Sequence, residues 1–212
     1  MNSSRNFNKQ RAKNRQRNKV ILLMLENPNN TTEFTYFTSL QRDLKRVTLR
    51  PIKSKYSDPI NMLNELKRKQ EANEQDISKA YVVLDLDVNQ NRINVISNLN
   101  KQDQKRFIMS NPCFEIWYLN HKDYTTHFFE SSSNVKKYIS QDKYIPGYHE
   151  SMDVYDLLFP YINDAILNSK KQVEYGEDSY SWPSKDFNPR TDVYKLVEEI
   201  IELDSETKTN IH

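Results

Sequence analysis

Tyr81-Val82-Val83-Leu84-Asp85-Leu86-Asp87 decides how this chain is read. Tyr81 to Leu84 is apolar and β-branched with little alternation, the pattern of a strand covered on both faces. Chain polarity puts Asp85 and Asp87 just past its carboxyl end, the edge at which open α/β sheets collect their ligands. Residues i and i+2 of a strand point the same way. Two like charges on one side call for a counter-charge, and a divalent cation that prefers oxygen is the usual one; two solvated residues of a loop are the plain alternative. Upstream, Val20-Ile21-Leu22-Leu23-Met24-Leu25 is a second strand of the buried type, and Glu26 ends it in the same way. If the two strands are parallel and near each other, three carboxylates meet at one edge of the sheet. That is the acidic constellation of Mg²⁺-dependent phosphoryl chemistry.

A chain of 212 residues suits one sizeable α/β domain with a small appendage and is too short for two full domains. Charged residues make up 28% and apolar ones 36%, with 9 Phe, 13 Tyr and 2 Trp to fill a core. No apolar run approaches the ~20 residues of a membrane helix, and the basic N-terminus lacks the apolar stretch of a secretory signal. A soluble, cytoplasmic chain with no membrane partner is expected. The single cysteine, Cys113, excludes an internal disulfide framework and suits a reducing compartment. His121, His127 and His149 lack the spacing of a structural zinc site, and two glycines, Gly147 and Gly176, exclude phosphate cradles built on glycine. The net charge of +2 hides an asymmetry. Residues 1–19 carry Arg5, Lys9, Arg11, Lys13, Arg15, Arg17 and Lys19 and no acid; removing those seven from 31 leaves 24 basic against 29 acidic residues. Such an arm suits loose phosphate contact, or serves only as a solubilising tail.

Four strand-like runs alternate with helical ones. Asn30-Thr31-Thr32-Glu33 opens a helix carrying Phe34, Phe37, Leu40, Leu44 and Val47; Leu49 to Lys55 reads as a strand; Asp58-Pro59 supplies a cap and first-turn proline for Ile60, Leu63 and Leu66. After the Asp-x-Asp strand, a polar helix is expected over 89–105 and a fourth strand over 106–109. The order β-α-β-α-β-α-β implies a parallel sheet with right-handed crossovers. Beyond it, Phe114, Trp117 and Tyr118 share a helix face, a weak helix follows serine-rich 131–133, and Pro160 kinks or restarts the stripe from Leu157 to Ile166. Residues 170–189 read as loop. Val193, Leu196, Val197, Ile200 and Ile201 fall at i, i+3, i+4, i+7 and i+8 of a last helix. The expected division is a basic flexible arm over 1–17, an α/β domain over 18–112, a mostly helical C-terminal extension over 113–204 and a tail over 205–212.

Glu26 to Phe37, the Asp85-Leu86-Asp87 strand end, Ser110-Asn111-Pro112-Cys113-Phe114-Glu115-Ile116-Trp117 and Asn188-Pro189-Arg190-Thr191-Asp192-Val193-Tyr194 occur in that order. Together they resemble the RloB-like proteins, which carry a TOPRIM-type domain and are associated with restriction and abortive-infection loci of prokaryotes. The resemblance implies a TOPRIM-like parallel four-stranded sheet whose first strand ends in a glutamate and whose third ends in Asp-x-Asp. It further implies Mg²⁺ or Mn²⁺ held by Glu26, Asp85 and Asp87, with Glu26 also able to act as general acid or base. Glu33 matches a second glutamate that helps to bind metal in the related OLD-type nucleases. The activity implied is metal-dependent hydrolysis of DNA or RNA in defence against phage, with a protein of the same operon as a further implied partner. The other reading is a catalytically weak TOPRIM subunit that binds or senses nucleic acid. The chain departs from the family pattern after the first strand, where Asn27-Pro28-Asn29-Asn30 replaces a shorter segment that has glycine and often lysine. Leu86 stands where the family often has arginine. A phosphatase of the HAD type also uses Asp-x-Asp, but after its first strand and followed by Gly-Thr, whereas Val88-Asn89 follow here.

Several candidates carry a structural reading beside the functional one. Asn30-x-x-Glu33 is itself a capping box. Ser110-Asn111-Pro112 reads as strand end, N-cap and first-turn proline, or as a polar turn beside the acids. Glu115, expected to face away from the Phe114/Trp117/Tyr118 stripe, is a candidate outer ligand of a metal or its water and a catalytic candidate with Glu26 and Glu33. Arg190 belongs to a turn and cap, or meets a phosphate. Cys113 reads as a small buried residue rather than a nucleophile.

Overall fold

Alternation along the first strand sorts the molecule into three layers. In β1 (Lys19–Leu25), Ile21, Leu23 and Leu25 point into one hydrophobic cluster and Val20, Leu22 and Met24 into another. This is what a central strand with both faces covered requires. The computed structural model describes residues 18–26, 31–72 and 77–205. The chain continues as α1 (Thr32–Leu40), β2 (Val47–Lys53), α2 (Pro59–Glu71), β3 (Ile77–Asp85), α3 (Gln90–Ser97), α4 (Lys101–Gln104) and β4 (Phe107–Asn111). Helix starts follow local chemistry: the side chains of Thr31, Asp58 and Asn89 each accept a backbone N–H of the first turn of α1, α2 and α3.

Strand order is β2-β1-β3-β4 with all pairs parallel, and a short fifth strand joins the far edge. Pro51 is tolerated in β2 because that strand is an edge, paired on one side only. The fifth strand corrects the expectation of four parallel strands. β5 (Arg190–Thr191) runs antiparallel to β4, so the sheet is mixed. Other boundaries move as well. The polar helix expected over 89–105 breaks at Asn98–Asn100, where Asn100 turns its side chain to cap α4. Asn111 ends β4 rather than capping a helix, and the N-cap of the next helix is Phe114, with no side-chain bond.

The remaining elements are α5 (Glu115–Asn120), α6 (Ser132–Ile139), α7 (Tyr155–Leu158), α8 (Ile162–Glu177), β5 (Arg190–Thr191) and α9 (Val193–Ser205). A 3₁₀ turn at Phe159–Tyr161 holds Pro160 between α7 and α8. Residues 170–177, expected as loop, continue α8, with Ser169, Gln172 and Gly176 buried on its inner face. These helices and α1 cover the sheet face that carries Ile21 and Leu23, around Phe114, Trp117, Leu196 and Val197; α2 and α3 cover the other with Met62, Leu66, Ile93 and Ile96. Among the described residues no helix is long and apolar enough to cross a membrane.

The last helix clamps the first half of the sheet. Asp204 accepts the backbone N–H groups of Lys45, Arg46 and Val47 at 2.9, 2.6 and 3.0 Å, and Tyr81 donates to Glu199 at 2.5 Å. Asp204→Ala is expected to lower stability by about 1–2 kcal/mol, a fall of roughly 3–6 °C in the thermal midpoint for a chain of this size. Asp204→Asn, which keeps an acceptor, should recover part of the loss.

Candidate active site

The connection from β1 leads to β2 on one side, whereas β3 lies on the other side of β1. The crevice outside the carboxyl ends of β1 and β3 is therefore the topological switch point at which open α/β sheets bind ligands. Glu26 follows β1 and Asp85 ends β3, so the sequence expectation of converging carboxylates is met in space. A cavity of about 450 Å³ opens there, lined by Glu26, Glu33, Asp85, Asp87, Glu115 and Glu150, with Thr31, Thr32, Ser57, Ser132 and Lys136 between them.

The Asp-x-Asp pair is not two positions of one strand. Asp85 is the last strand residue, whereas Asp87 and Val88 adopt positive φ, 52° and 56°. A β-branched residue there is rare, and the left-handed conformation disfavours each such residue by about 1–2 kcal/mol. The turn is held by Leu86 N–H to Ser110 O at 2.8 Å, Asp87 N–H to Pro112 O at 2.9 Å and Val88 N–H to Asn111 Oδ1 at 3.3 Å. The Nδ2 of buried Asn111 faces the carbonyls of Ser184, Lys185 and Phe187, each at 3.1 Å. The turn thus lifts Asp87 to the exposed lip, where it accepts from Ser132 Oγ at 2.7 Å, while Leu86 points into the core.

Crowding sets the electrostatics. Burial pushes the Asp85 carboxyl well above its ordinary range, and Glu33, Glu115, Asp87 and Glu26 push it further. Glu33 is raised to about 7, by burial first and then by Glu115 and Glu26. The helix is capped by Thr31, whose Oγ1 accepts the Phe34 N–H, so Glu33 sits one position short of a capping box, and its carboxylate, at the cavity wall, accepts from its own backbone N–H and the Thr31 side chain; Asn30 lies outside the described residues. Glu115 does not lie on a solvent face, because every residue of α5 is buried. Its Oε1 accepts from Thr32 Oγ1 at 2.9 Å and Tyr148 OH at 3.0 Å. Beside it, burial and then Glu115 and Asp85 hold the Cys113 thiol far above its ordinary range, which keeps it a thiol and no nucleophile.

A family model described as RloB-like protein matches residues 21–200, most of the chain. The chain belongs to the RloB-like family. No curated protein and no solved structure matches it. In this RloB-like chain the acidic residues named from the sequence, Glu26, Glu33, Asp85, Asp87 and Glu115, all line one cavity.

Two cations of the site escape a reading of the sequence. Arg92, in the first turn of α3, clamps Glu26 with two bonds of 2.6 and 2.9 Å; it also donates to Asp85 O at 2.5 Å and lies 3.7 Å from Asp87. Seven residues beyond Asp85 on a polar helix, it gives no signal but its charge. Lys136, on α6, shares a helix face with Ser132. Burial works against its ammonium, but Glu150 and Glu115 outweigh this and hold it above its ordinary range. Other candidates lie elsewhere. Arg190 is buried between the rings of Trp182 and Phe187, 4.3 Å from each, with Asp192 at 3.7 Å, so it is held in the structure rather than offered to a phosphate. Lys19 belongs to β1. Arg5, Lys9, Arg11, Lys13, Arg15 and Arg17 lie outside the described residues.

The donor set fits a hard divalent cation: every candidate ligand is a carboxylate or hydroxyl oxygen, and the excess of acid over cation is what such an ion neutralises. Among the described residues no trio of His, Cys, Asp or Glu is already drawn into a closed ligand set. Glu26 is turned to Arg92, Asp87 to Ser132 and Glu115 to Thr32 and Tyr148. Glu33 accepts from its own backbone N–H and from the Thr31 side chain, and the Asp85 carboxylate is held by charge and burial alone.

The raised Glu33 pKa links stability to pH. Between its ordinary value of 4.5 and about 7 the folded chain binds a proton that the unfolded chain does not, so this group favours folding as pH falls through 7. In metal-free buffer the thermal midpoint of the native chain, relative to Glu33→Gln, should rise as pH drops from about 8 to 5. Stabilisation by Mg²⁺ or Mn²⁺ should run the other way and grow with pH, because the ion displaces the proton.

Proposed function

We propose that this RloB-like chain is a Mg²⁺- or Mn²⁺-dependent nuclease that hydrolyses phosphodiester bonds. The observation that carries the reading is the cavity at the switch point, where carboxylates from four segments converge and raise the proton affinity of Asp85 and Glu33. A TOPRIM-type domain is the corresponding proposal for residues 18–112, supported by the parallel order β2-β1-β3-β4 with acids after β1 and β3. Asp85, Glu33 and Asp87 would hold the ion; Glu26, which shares its charge with Arg92, is less free to do so than the sequence implies. Such an ion, when bound, lowers the pKa of an attacking water and offsets charge on the phosphoryl oxygens. Glu115, oriented by Thr32 and Tyr148, is placed to hold that water's proton, and Lys136 with Ser132 faces the acids from α6, where a phosphate of the strand meets a cation. The family's association with abortive-infection loci makes phage defence the proposed setting, with a partner protein from the same operon.

A second reading has an observation of its own. Glu26 is held by a bidentate arginine and, among the described residues, no closed ligand set is preformed, as expected of a subunit that binds or senses nucleic acid without cutting it.

Labelled single- and double-stranded DNA and RNA, incubated with purified chain and Mg²⁺, Mn²⁺ or EDTA, separate the two. Metal-dependent cutting that falls at least a hundredfold in Asp85→Asn, with Glu26→Gln less affected, is the expected result; binding without cutting on any substrate would sink the nuclease in favour of the sensor. In the same assay, deleting residues 1–17 should weaken binding and flatten its salt dependence. The log–log slope should fall by about 0.7 for each phosphate of a single strand that the arm neutralises. An unchanged slope would show that the arm touches no phosphate.

A further inference from the structure

A second cavity, of about 140 Å³, lies on the outer side of the 184–188 loop, between the end of α8 and the segment 126–128. Its walls are aromatic and open to solvent: Tyr175 is 68% exposed, Phe128 51% and Tyr180 43%. The floor is Phe187, pressed so closely on Gly176 that a Cβ there would meet its ring at 2.4 Å. A glycine at this point of α8 weakens the helix, and here it lets the ring form that floor. At the rim, the side chain of Asp186 has no hydrogen-bond or ion-pair partner among the described residues, whereas Gln172 and Asn188 are fully engaged inward, with Asn120 and with the backbone of Phe129. The cavity therefore offers ring faces and one free carboxylate acceptor.

Its two margins both run into the acidic site. Asn111 bonds the carbonyls of Ser184, Lys185 and Phe187 with one side of its amide and the Val88 N–H, next to Asp87, with the other. On the other margin, Phe128 precedes by four residues Ser132, which donates to Asp87. Four residues of chain reach at most about 14 Å, the length of about four stacked nucleotides.

We propose that this aromatic cavity is a nucleobase subsite, which takes one unstacked base of a single strand whose backbone crosses the acidic cavity. Tyr175, Phe128 and Tyr180 stack on the base, and Asp186 accepts from an exocyclic amino group, as carboxylates do from cytosine N4. A duplex keeps its bases stacked inside and cannot fill it. The subsite rests on the nuclease reading and narrows its substrate to single-stranded or locally unpaired nucleic acid.

The test is direct binding of fluorescent 12-residue oligo(dT), oligo(dC) and a mixed-sequence duplex to the full chain in EDTA, with cutting of the same strands scored separately in Mg²⁺ and Mn²⁺. Tyr175→Ala and Phe128→Ala, both at exposed positions, should each weaken single-strand binding about tenfold and leave duplex binding unchanged, with Tyr175→Phe close to wild type. Asp186→Asn should weaken oligo(dC) and spare oligo(dT), which has no amino group. Single-strand affinity unchanged in both aromatic variants would overturn the subsite, and if wild type still cuts, the nuclease survives that failure. Displacement of the strand by millimolar tetramethylammonium, with no effect of Asp186→Asn on base preference, would instead make the cavity an aromatic cage for a methylated cation. No binding of any strand by wild type in EDTA, together with no cutting in Mg²⁺ or Mn²⁺, would remove both proposals together.

Discussion

Carboxylates brought together in a cleft walled by protein cannot all stay ionised unless a cation, a proton or a set of hydrogen-bond donors compensates them. At the ends of β1 and β3 the chain gathers six acids around one cavity, and much of the surrounding structure compensates them. Arg92 reaches back from α3 to Glu26, Lys136 comes down from α6 between Glu150 and Glu115, and Ser132, Thr32 and Tyr148 donate to Asp87 and Glu115. What these donors do not offset falls on Asp85 and Glu33, whose proton affinities burial and the neighbouring carboxylates raise. A residue of excess charge fixed in a cleft is what separates this edge of the sheet from an ordinary polar loop, and it motivates a divalent ion and phosphoryl chemistry.

Holding that arrangement depends on a strained turn. Asp87 and Val88 persist at positive φ because three backbone N–H groups of 86–88 are anchored to the end of β4 and the segment behind it, the last of them through the Asn111 side chain. Strain of this kind survives only where the surroundings over-determine it. Asn111 over-determines it from a distance, because its amide also gathers three carbonyls of the 184–187 loop. The two-residue β5 completes the brace: Ser110 and Thr191 pair through their backbones and through a 2.8 Å hydroxyl contact. Residues some eighty positions downstream therefore fix the geometry of the Asp-x-Asp turn, which explains why the C-terminal helices belong to the same core as β1.

Much of this is legible in the sequence where a local rule applies. The runs at 20–25 and 81–84 are apolar on both faces, so buried parallel strands follow from pattern alone, and polarity then puts Glu26 and Asp85 at one edge. Asp58-Pro59 and Ser131 mark helix starts by chemistry that acts within one turn. The parts that stay hidden are those set across the chain. Two residues have no period, so β5 is invisible. Asn111 carries the same letters whether it caps a helix or braces a turn, and only the loop that meets it decides. Glu115 reads as exposed because the periodicity of α5 shows one apolar stripe, while the neighbours that bury its other side, Thr32 and Tyr148, come from distant segments. Arg190 reads as part of a turn and cap or as a phosphate contact, because nothing local announces the Trp182 and Phe187 rings that enclose it.

The same distinction bears on residues 27–30 after β1, whose sequence lacks the glycine and lysine that would position a phosphate. Cationic charge at the site does not have to come from that segment. Arg92 and Lys136 supply it from α3 and α6, and their chemistry divides the work. A guanidinium fixed by bidentate contact to Glu26 and a third bond to the Asp85 carbonyl is a brace: its planar fork is matched to those partners and cannot follow a substrate. An ammonium on a four-carbon stem, paired with the more exposed Glu150, is free to exchange one anion for another, as the proposed strand would require. Of the two, Lys136 is the residue suited to replace the absent lysine, and Arg92 is the one that offsets the repulsion of the acids within the chain itself.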